Sequence, residues 1–230
     1  MSWIGVITGD IVDSTRILEA GGREKLLATL KNTIADINAD EKLGKVTMEI
    51  YRGDSFQCIV EYPKSSLYIA ILIRASLISH SEGDIRWDAR MGIGVGKGEF
   101  IAEKVTESDG EAFRLSGQAF DNLGRNHRIA ILTPDEDFNK ELRVSTAFAD
   151  DIMSGWTATQ ASVIYPFWLN PLLSQKDIAE QINKSPQAVN KLLITSRFSL
   201  IFGYVNRYMS KTIKLELLKI NLNYGLDNLT

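Results

Sequence analysis

Residues 174–197 read SQKDIAEQINKSPQAVNKLLITSR, and this stretch decides how the C-terminal part of the chain folds. Ser174 is a preferred N-cap for a short helix, and the apolar residues that follow it recur at helical spacing. Asn183 marks a turn, after which Ser185 caps a second helix that carries Pro186 in its first turn. The stretch therefore predicts two short helices that pack against each other across a tight turn.

The outer face of this helix pair is polar, and its side chains suit base edges and phosphate groups. The pattern predicts a helix-turn-helix that binds DNA, and it resembles the helix-turn-helix of bacterial regulators and sigma factors. The alternative is an ordinary helical hairpin used for packing or dimerisation. The candidate DNA-binding residues are Ser174, Gln175, Ser185, Gln187, Asn190, Lys191, Thr195 and Arg197.

Length and composition set the class of protein. The chain has 230 residues and is 44% hydrophobic, enough for one large domain or two modest ones. Its single cysteine, Cys58, excludes an intrachain disulfide and agrees with a reducing compartment. The start, MSWIGVITGD, lacks a basic segment, and no apolar run approaches the length that spans a membrane. We therefore expect a cytoplasmic protein that is not embedded in a membrane.

Charge is unevenly distributed along the chain. From residue 174 onward there are eight Lys and Arg against four Asp and Glu, a balance of +4. Because the whole chain carries −3, the first 173 residues hold −7. An acidic body with a basic C-terminal part favours a separate module that meets nucleic acid, although a merely solvated surface would also fit.

The part before this module alternates between strand and helix patterns. It predicts an α+β ferredoxin-like sandwich, similar to nucleotide cyclases, with helices on one face of a mainly antiparallel sheet. We expect this domain at residues 1–150 and an all-α helix-turn-helix domain at 156–230. The predicted strands are residues 3–8, 45–51, 55–62, 88–96 and 128–132, and the predicted helices are 23–38, 66–79, 111–123 and 135–153.

Two acids stand out by their position. Asp10 is predicted just past the first strand, and Asp54 in the turn of the following hairpin. In a ferredoxin-like sheet these strand ends are neighbours, so both carboxylates can face one Mg²⁺ or Mn²⁺. The loop that follows Asp10 enters a helix N-terminus, whose free N–H groups suit a triphosphate. For Asp10 alone, a helix-capping role is the simpler interpretation.

Four motifs resemble class III nucleotidyl cyclases, in the order expected for that family. Residues 10–15 (DIVDST) resemble the DIVGST loop, and residues 52–56 (RGDSF) resemble the hairpin with the second metal ligand. Residues 90–98 (RMGIGVGKG) resemble the glycine-containing strand, and residues 109–113 (DGEAF) the stretch before the next helix. The strand glycines by themselves indicate close approach of a ligand or another backbone.

The cyclase resemblance implies roles for particular residues. It implies metal ligation by Asp10, the Ile11 carbonyl and Asp54. It also implies departures from cyclase chemistry, because Ile50 stands at the position of the base-selecting Lys, and Arg114 and Gln118 replace two catalytic residues. The candidate nucleotide-binding residues are Asp13, Ser14, Thr15, Arg52 and Arg114.

The whole arrangement, a cyclase-like domain followed by a helix-turn-helix, is similar to the SatD family of bacterial proteins. We expect a homodimeric DNA-binding transcriptional regulator that senses a nucleoside triphosphate or a cyclic nucleotide together with a metal ion. One alternative is a metal-dependent nucleotide-processing enzyme, either a cyclase or a triphosphate hydrolase. Another is a catalytically dead fold that serves as a dimerisation platform.

Overall fold

The computed structural model describes residues 2–51, 54–99 and 108–226, with the side chains of 219–226 excepted. The described strands are β1 (Ser2–Ile11), β2 (Val46–Tyr51), β3 (Ser55–Val60), β4 (Ala89–Glu99), β5 (Asp109–Gly110) and β6 (Ile129–Leu132). The described α-helices are α1 (Ser14–Glu19), α2 (Arg23–Asn38), α3 (Ser66–Ser79), α4 (Glu111–Asp121), α5 (Glu136–Ser154), α6 (Ala158–Leu169), α7 (Gln175–Gln181), α8 (Pro186–Thr195) and α9 (Phe198–Leu226).

The strands form one sheet with the order β2-β3-β1-β4, and both β5 and β6 pair with β4. All of these pairings are antiparallel except β4 with β6. The predicted α+β class and the ferredoxin-like order of the four long strands are therefore confirmed. β1 runs three residues beyond its predicted end at Thr8, because it pairs with β3 as far as Asp10 and with β4 as far as Ile11.

Helices cover both faces of the sheet, so the prediction of helices on one face only is wrong. α2 and α3 pack on one face, and every residue from 66 to 78 in α3 is buried. α4 lies on the opposite face, directly over β4. A Cβ at Gly94 would lie 2.2 Å from the carbonyl oxygen of Ala112 and 2.3 Å from the amide nitrogen of Ser116. The strand glycines therefore make room for a helix backbone. The sequence predicted close approach of either a ligand or another backbone at these glycines, and the structure has the backbone.

The C-terminal helices share the core of the sheet. One cluster of buried side chains extends from Trp3 to Leu215, across the predicted boundary between residues 1–150 and 156–230. The Tyr208 hydroxyl donates a hydrogen bond of 3.0 Å to the Pro63 carbonyl oxygen, which joins α9 to the segment before α3. The division into two domains stays a prediction. None of the helices in the described residues is long and apolar enough to cross a bilayer.

A buried ion network joins α3, the start of β4 and α5. The Arg74 guanidinium donates to both carboxylate oxygens of Asp88, at 2.8 and 2.9 Å, and to Asp150 at 2.6 Å. All three side chains are at most 2% exposed. Burial by itself lowers the pKa of Arg74, but the charges and hydrogen bonds of the two acids outweigh it and raise that pKa. Arg74 is thus a structural cation that ties the helices to the sheet.

Candidate functional site

The first candidate site is a corner where the end of β1 lies between the first residues of β3 and β4. Asp10 lies opposite Ser55 of β3 and Arg90 of β4. The Ile11 N–H donates a hydrogen bond of 2.9 Å to the carbonyl oxygen of Asp54, so the chain segments that carry the two acids are in contact. The structure therefore brings the segments of the predicted metal ligands to one rim of the sheet.

The Asp10 carboxylate is held by an arginine. Arg90 donates to it twice, from Nε at 3.0 Å and from Nη2 to the other oxygen. These hydrogen bonds raise the pKa of Arg90 above its usual value, against the lowering effect of partial burial. Both side chains are partly exposed, Arg90 at 37% and Asp10 at 22%. A cation that binds Asp10 would have to displace the guanidinium.

The second acid is held more weakly. The Ser14 hydroxyl donates to the Asp54 carboxylate at 2.9 Å. Asp13 occupies the N-cap position of α1 with a φ of 51°, but its carboxylate makes no capping hydrogen bond. Asp13 and Thr15 are exposed, and within the described part of the chain the N–H groups of residues 13–15 have no hydrogen-bond acceptor. Anion binding by these N–H groups and Ser14, beside Asp54, stays a prediction.

The donor set of the corner suits a hard cation only in part. Two carboxylates and the Ile11 carbonyl are the oxygen ligands that Mg²⁺ or Mn²⁺ takes together with phosphate oxygens and water. Among the described residues, however, no three side chains of His, Cys, Asp or Glu are grouped closely enough to hold a metal ion. The cation site stays a prediction, and it requires the Asp10–Arg90 pair to open.

Further polar side chains lie next to this corner, between the sheet and α4. The Gln57 amide donates 3.1 Å to the Thr8 hydroxyl, and that hydroxyl lies 2.9 Å from the Ser116 hydroxyl of α4. The Arg90 guanidinium lies 5.6 Å from the centre of the Phe120 ring, near the other end of α4. Because α4 covers this face, ligand access to the corner is from the rim rather than across the sheet.

One predicted nucleotide-binding residue, Arg114, pairs outside the corner. Arg114 is 68% exposed and pairs with Asp109 at 3.4 Å, and Asp109 lies opposite Glu99. Arg114 lies on α4 between Ala112 and Ser116, both of which pack over Gly94, four residues along β4 from Arg90. In this structure the Arg114 guanidinium is paired with Asp109 and not with Asp10. Arg52 lies outside the described residues.

The second candidate site is the pair α7 and α8. Their apolar sides pack together with α6 around Val163, Ile178, Ala179, Val189 and Leu193. The turn between them lies where the sequence predicts it. Asn183 there has a φ of 52°, a left-handed conformation that Asn tolerates. The tight packing fixes the direction in which α8 presents its outer face.

The serines of the pair act as helix caps. The Ser174 hydroxyl accepts from the Asp177 N–H at 3.2 Å and donates to the Asp177 carboxylate at 2.7 Å, which lowers the pKa of that acid. The Ser185 hydroxyl accepts from the Ala188 N–H at 3.2 Å. Thr195 is also engaged, since its hydroxyl accepts from Gln160 of α6 and donates to the backbone. These three predicted DNA contacts already have structural hydrogen-bond partners.

The remaining predicted DNA contacts are solvent-exposed. Gln187, Asn190 and Lys191 lie on the outer surface of α8, and Arg197 follows its end. Gln175 donates to the Asn190 side chain at 3.3 Å, which joins the two helices at their outer surface. Lys184, which the sequence places in the turn beside Asn183 but not among the predicted DNA contacts, is also an exposed cation.

The fold and these sites define an α+β protein with a ferredoxin-like sheet and a helical C-terminal part. The chain belongs to the SatD family, whose model matches residues 3–214. No curated protein is detectably similar to it in sequence.

Three solved structures of cyclases are similar to this chain. The active GGEEF domain of a diguanylate cyclase from Vibrio cholerae is 17% identical with a TM-score of 0.43, covering 56% of this chain and 83% of that one. The dimeric guanylyl cyclase domain of the RhoGC fusion protein from Blastocladiella emersonii is 16% identical with a TM-score of 0.42, covering 63% and 85%. The catalytic core of a rhodopsin-guanylyl cyclase with converted specificity, in complex with ATPalphaS, is 16% identical with a TM-score of 0.40, covering 56% and 77%. At these TM-scores the likenesses carry no argument about function.

Proposed function

We propose that this protein is a DNA-binding transcriptional regulator whose cyclase-like N-terminal part senses a nucleotide together with a divalent cation. The observation that carries the proposal is the exposed polar face of α8, with Gln187, Asn190 and Lys191 on a helix whose opposite face is buried. Amides of this kind bind base edges, and ammonium groups bind phosphates. α8 acts as the recognition helix, and α7 positions it.

Sensing takes place at the corner that holds Asp10 and Asp54. A Mg²⁺ or Mn²⁺ that arrives with a nucleoside triphosphate, or beside a cyclic nucleotide, competes with Arg90 for the Asp10 carboxylate. The displaced guanidinium is then free to pair with a phosphate of the same ligand. The proposal therefore gives Arg90 the phosphate-binding role that the sequence analysis gave to Arg114.

A chain of hydrogen bonds supplies a physical route from this corner to α8. The Val12 N–H, two residues after Asp10, donates 2.9 Å to the carbonyl oxygen of Asp88. Arg86 lies 3.5 Å from the Asp88 carboxylate and donates 2.6 Å to the carbonyl oxygen of Trp156. The Trp156 indole in turn donates 2.9 Å to the carbonyl oxygen of Ser196, at the end of α8. These contacts are contiguous, and in this proposal a shift of the loop after β1 is passed to the recognition helix through them.

The regulator acts as a homodimer in this proposal, because two recognition helices read two half-sites. Exposed apolar side chains on two helices offer surface for a second copy. Phe148 on α5 is 72% exposed and Val144 is 57% exposed, while Leu217 on α9 is 56% exposed. Sedimentation equilibrium of the full chain measures the subunit number directly.

For the DNA contacts, we expect Asn190→Ala and Gln187→Ala to weaken binding to a selected operator by roughly 5- to 100-fold, because each removes a base contact. Lys191→Ala should weaken binding to all sequences and reduce the salt dependence by about one counterion. Fluorescence anisotropy with operators selected from a random library, at several salt concentrations, measures both effects.

The matched controls for DNA binding come from the same molecule. Lys31→Ala removes an exposed cation from α2 and should leave affinity unchanged, and Thr195→Ala should have little effect because that hydroxyl is already bonded. A wild-type protein that binds the best selected sequence no more tightly than random DNA would remove the DNA-binding half of the proposal.

For the cation site, we expect Arg90→Gln to tighten Mn²⁺ binding by about two- to fivefold, since a partly exposed ion pair is worth up to about 1 kcal/mol. Isothermal titration with Mn²⁺ alone measures this, with Arg23→Gln as a control at an exposed arginine on α2. Asp10→Asn should abolish the binding. Equal Mn²⁺ affinity in Asp10→Asn and the wild type would show that the cation binds elsewhere.

A further inference from the structure

A cavity of about 540 Å³ lies between α4, β6 and α5, outside the corner at Asp10. Its lining includes the buried side chains of Ile129, Ile131 and Ala119, each at most 6% exposed. Polar side chains, among them Lys140 and Arg143, complete the lining. This volume falls within the range of roughly 300–1,000 Å³ that is usual for small-molecule sites.

One edge of β6 faces this cavity. In the part of the chain that the structure describes, β6 pairs with β4 alone. The Met91 N–H donates to the Arg128 carbonyl oxygen at 2.7 Å, so the peptide groups of even-numbered residues in β6 point towards β4. The N–H and C=O groups of Ile129 and Ile131 therefore point to the free edge. The carbonyl of Ile129 and the N–H of Ile131 form an adjacent acceptor and donor.

A side chain closes this edge at the C-terminal end of β6. Asn139 bonds to both backbone groups of Thr133, accepting from the N–H at 2.8 Å and donating to the carbonyl oxygen at 2.8 Å. An additional strand from a peptide could not run past Thr133, because its continuation would meet Asn139. The free edge is left for a compact molecule.

The charge of the lining favours an anion. Arg143 is exposed and forms no ion pair with another described residue, whereas Lys140 is paired with Asp137 at 2.9 Å. Glu136 is the one carboxylate in the lining, against the two cations and His127. An acidic group on a ligand would therefore pair with the Arg143 guanidinium.

We propose that this cavity binds a heteroaromatic anion of the size of a nucleoside monophosphate. The apolar lining contacts the face of the ring, and the Ile129 carbonyl and Ile131 N–H bond to its edge. Arg143 binds the acidic group. The site needs no metal ion and does not depend on the sensing corner at Asp10.

Calorimetric titration of the full chain with AMP, GMP, CMP and UMP, in EDTA, tests the proposal. We expect at least one monophosphate to bind, its uncharged nucleoside to bind at least tenfold more weakly, and Arg143→Gln to cause a similar loss. Arg125→Gln, which removes an exposed arginine outside the lining, should leave affinity unchanged. Ala147→Phe fills the cavity from an exposed position on α5 and should abolish binding while the melting temperature is kept.

Absence of heat with all four monophosphates at millimolar concentration would overturn the proposal, as would an unchanged affinity in Ala147→Phe. The variant Asp10→Asn separates this site from the sensing corner. Binding that persists in Asp10→Asn and is lost in Ala147→Phe supports the cavity. The reverse pattern places the nucleotide at the corner and rejects the cavity.

Discussion

Replacing Arg74 by alanine is expected to lower the free energy of unfolding by about 3–5 kcal/mol. The guanidinium is completely buried, and it is bonded to the buried carboxylates of Asp88 and Asp150. Without it, two neighbouring carboxylates remain in the core, and the basic side chains beside them are partly exposed: Arg86 next to Asp88, and His127 at 3.6 Å from Asp150. Arg86 is the nearest replacement, but it lies 3.5 Å from Asp88 and is 39% exposed. Because the Arg86 guanidinium is partly solvated, its charge offsets little of the stability that is lost with Arg74.

Urea denaturation followed by circular dichroism measures the Arg74 effect. Arg86→Ala is the matched control and should cost far less, because that side chain is partly exposed. The triple variant Arg74→Met, Asp88→Asn and Asp150→Asn should recover part of the loss, since it removes the buried charges together. A loss below about 1 kcal/mol in Arg74→Ala would mean that the network does not stabilise the fold as its burial indicates.

Local periodicity predicted most elements. The helices at residues 23–38 and 66–79 begin and end where their apolar spacing and flanking residues place them. The end of β1 was missed because Gly9 and Asp10 look like a turn, whereas pairing with strands on both sides extends the strand. Such cross-strand pairing depends on residues far apart along the chain, which a local pattern does not contain.

The candidate site was predictable in its position but not in its contacts. The motif order placed Asp10 and Asp54 near one rim, which the contact between Ile11 and Asp54 bears out. The pairing of Asp10 with Arg90 follows from the register of β1 against β4, and the sequence carried no signal for it. Arg74 did carry a signal, because a charge within the apolar run SLYIAILIRASLIS requires buried partners.

The placement of α4 over the sheet leads to the second large effect, at Gly94. We expect Gly94→Ala to lower the free energy of unfolding by about 3 kcal/mol or more, because the new Cβ would lie 2.2–2.3 Å from backbone atoms of Ala112 and Ser116. A helix backbone cannot rotate away as a side chain can, so α4 must move off β4. That movement also breaks the contact between the Thr8 and Ser116 hydroxyls.

The control for Gly94 is Gly117, which lies on α4, the helix that packs over Gly94. A Cβ at Gly117 would meet nothing within 4 Å, so Gly117→Ala should stabilise the protein by up to about 1 kcal/mol through helix propensity alone. Thermal and urea unfolding of both variants measure the contrast, and the two substitutions should have opposite signs. If Gly94→Ala were as stable as Gly117→Ala, α4 would not rest on β4 in solution. Ligand access to Asp10 would then be open across the sheet face as well as from the rim.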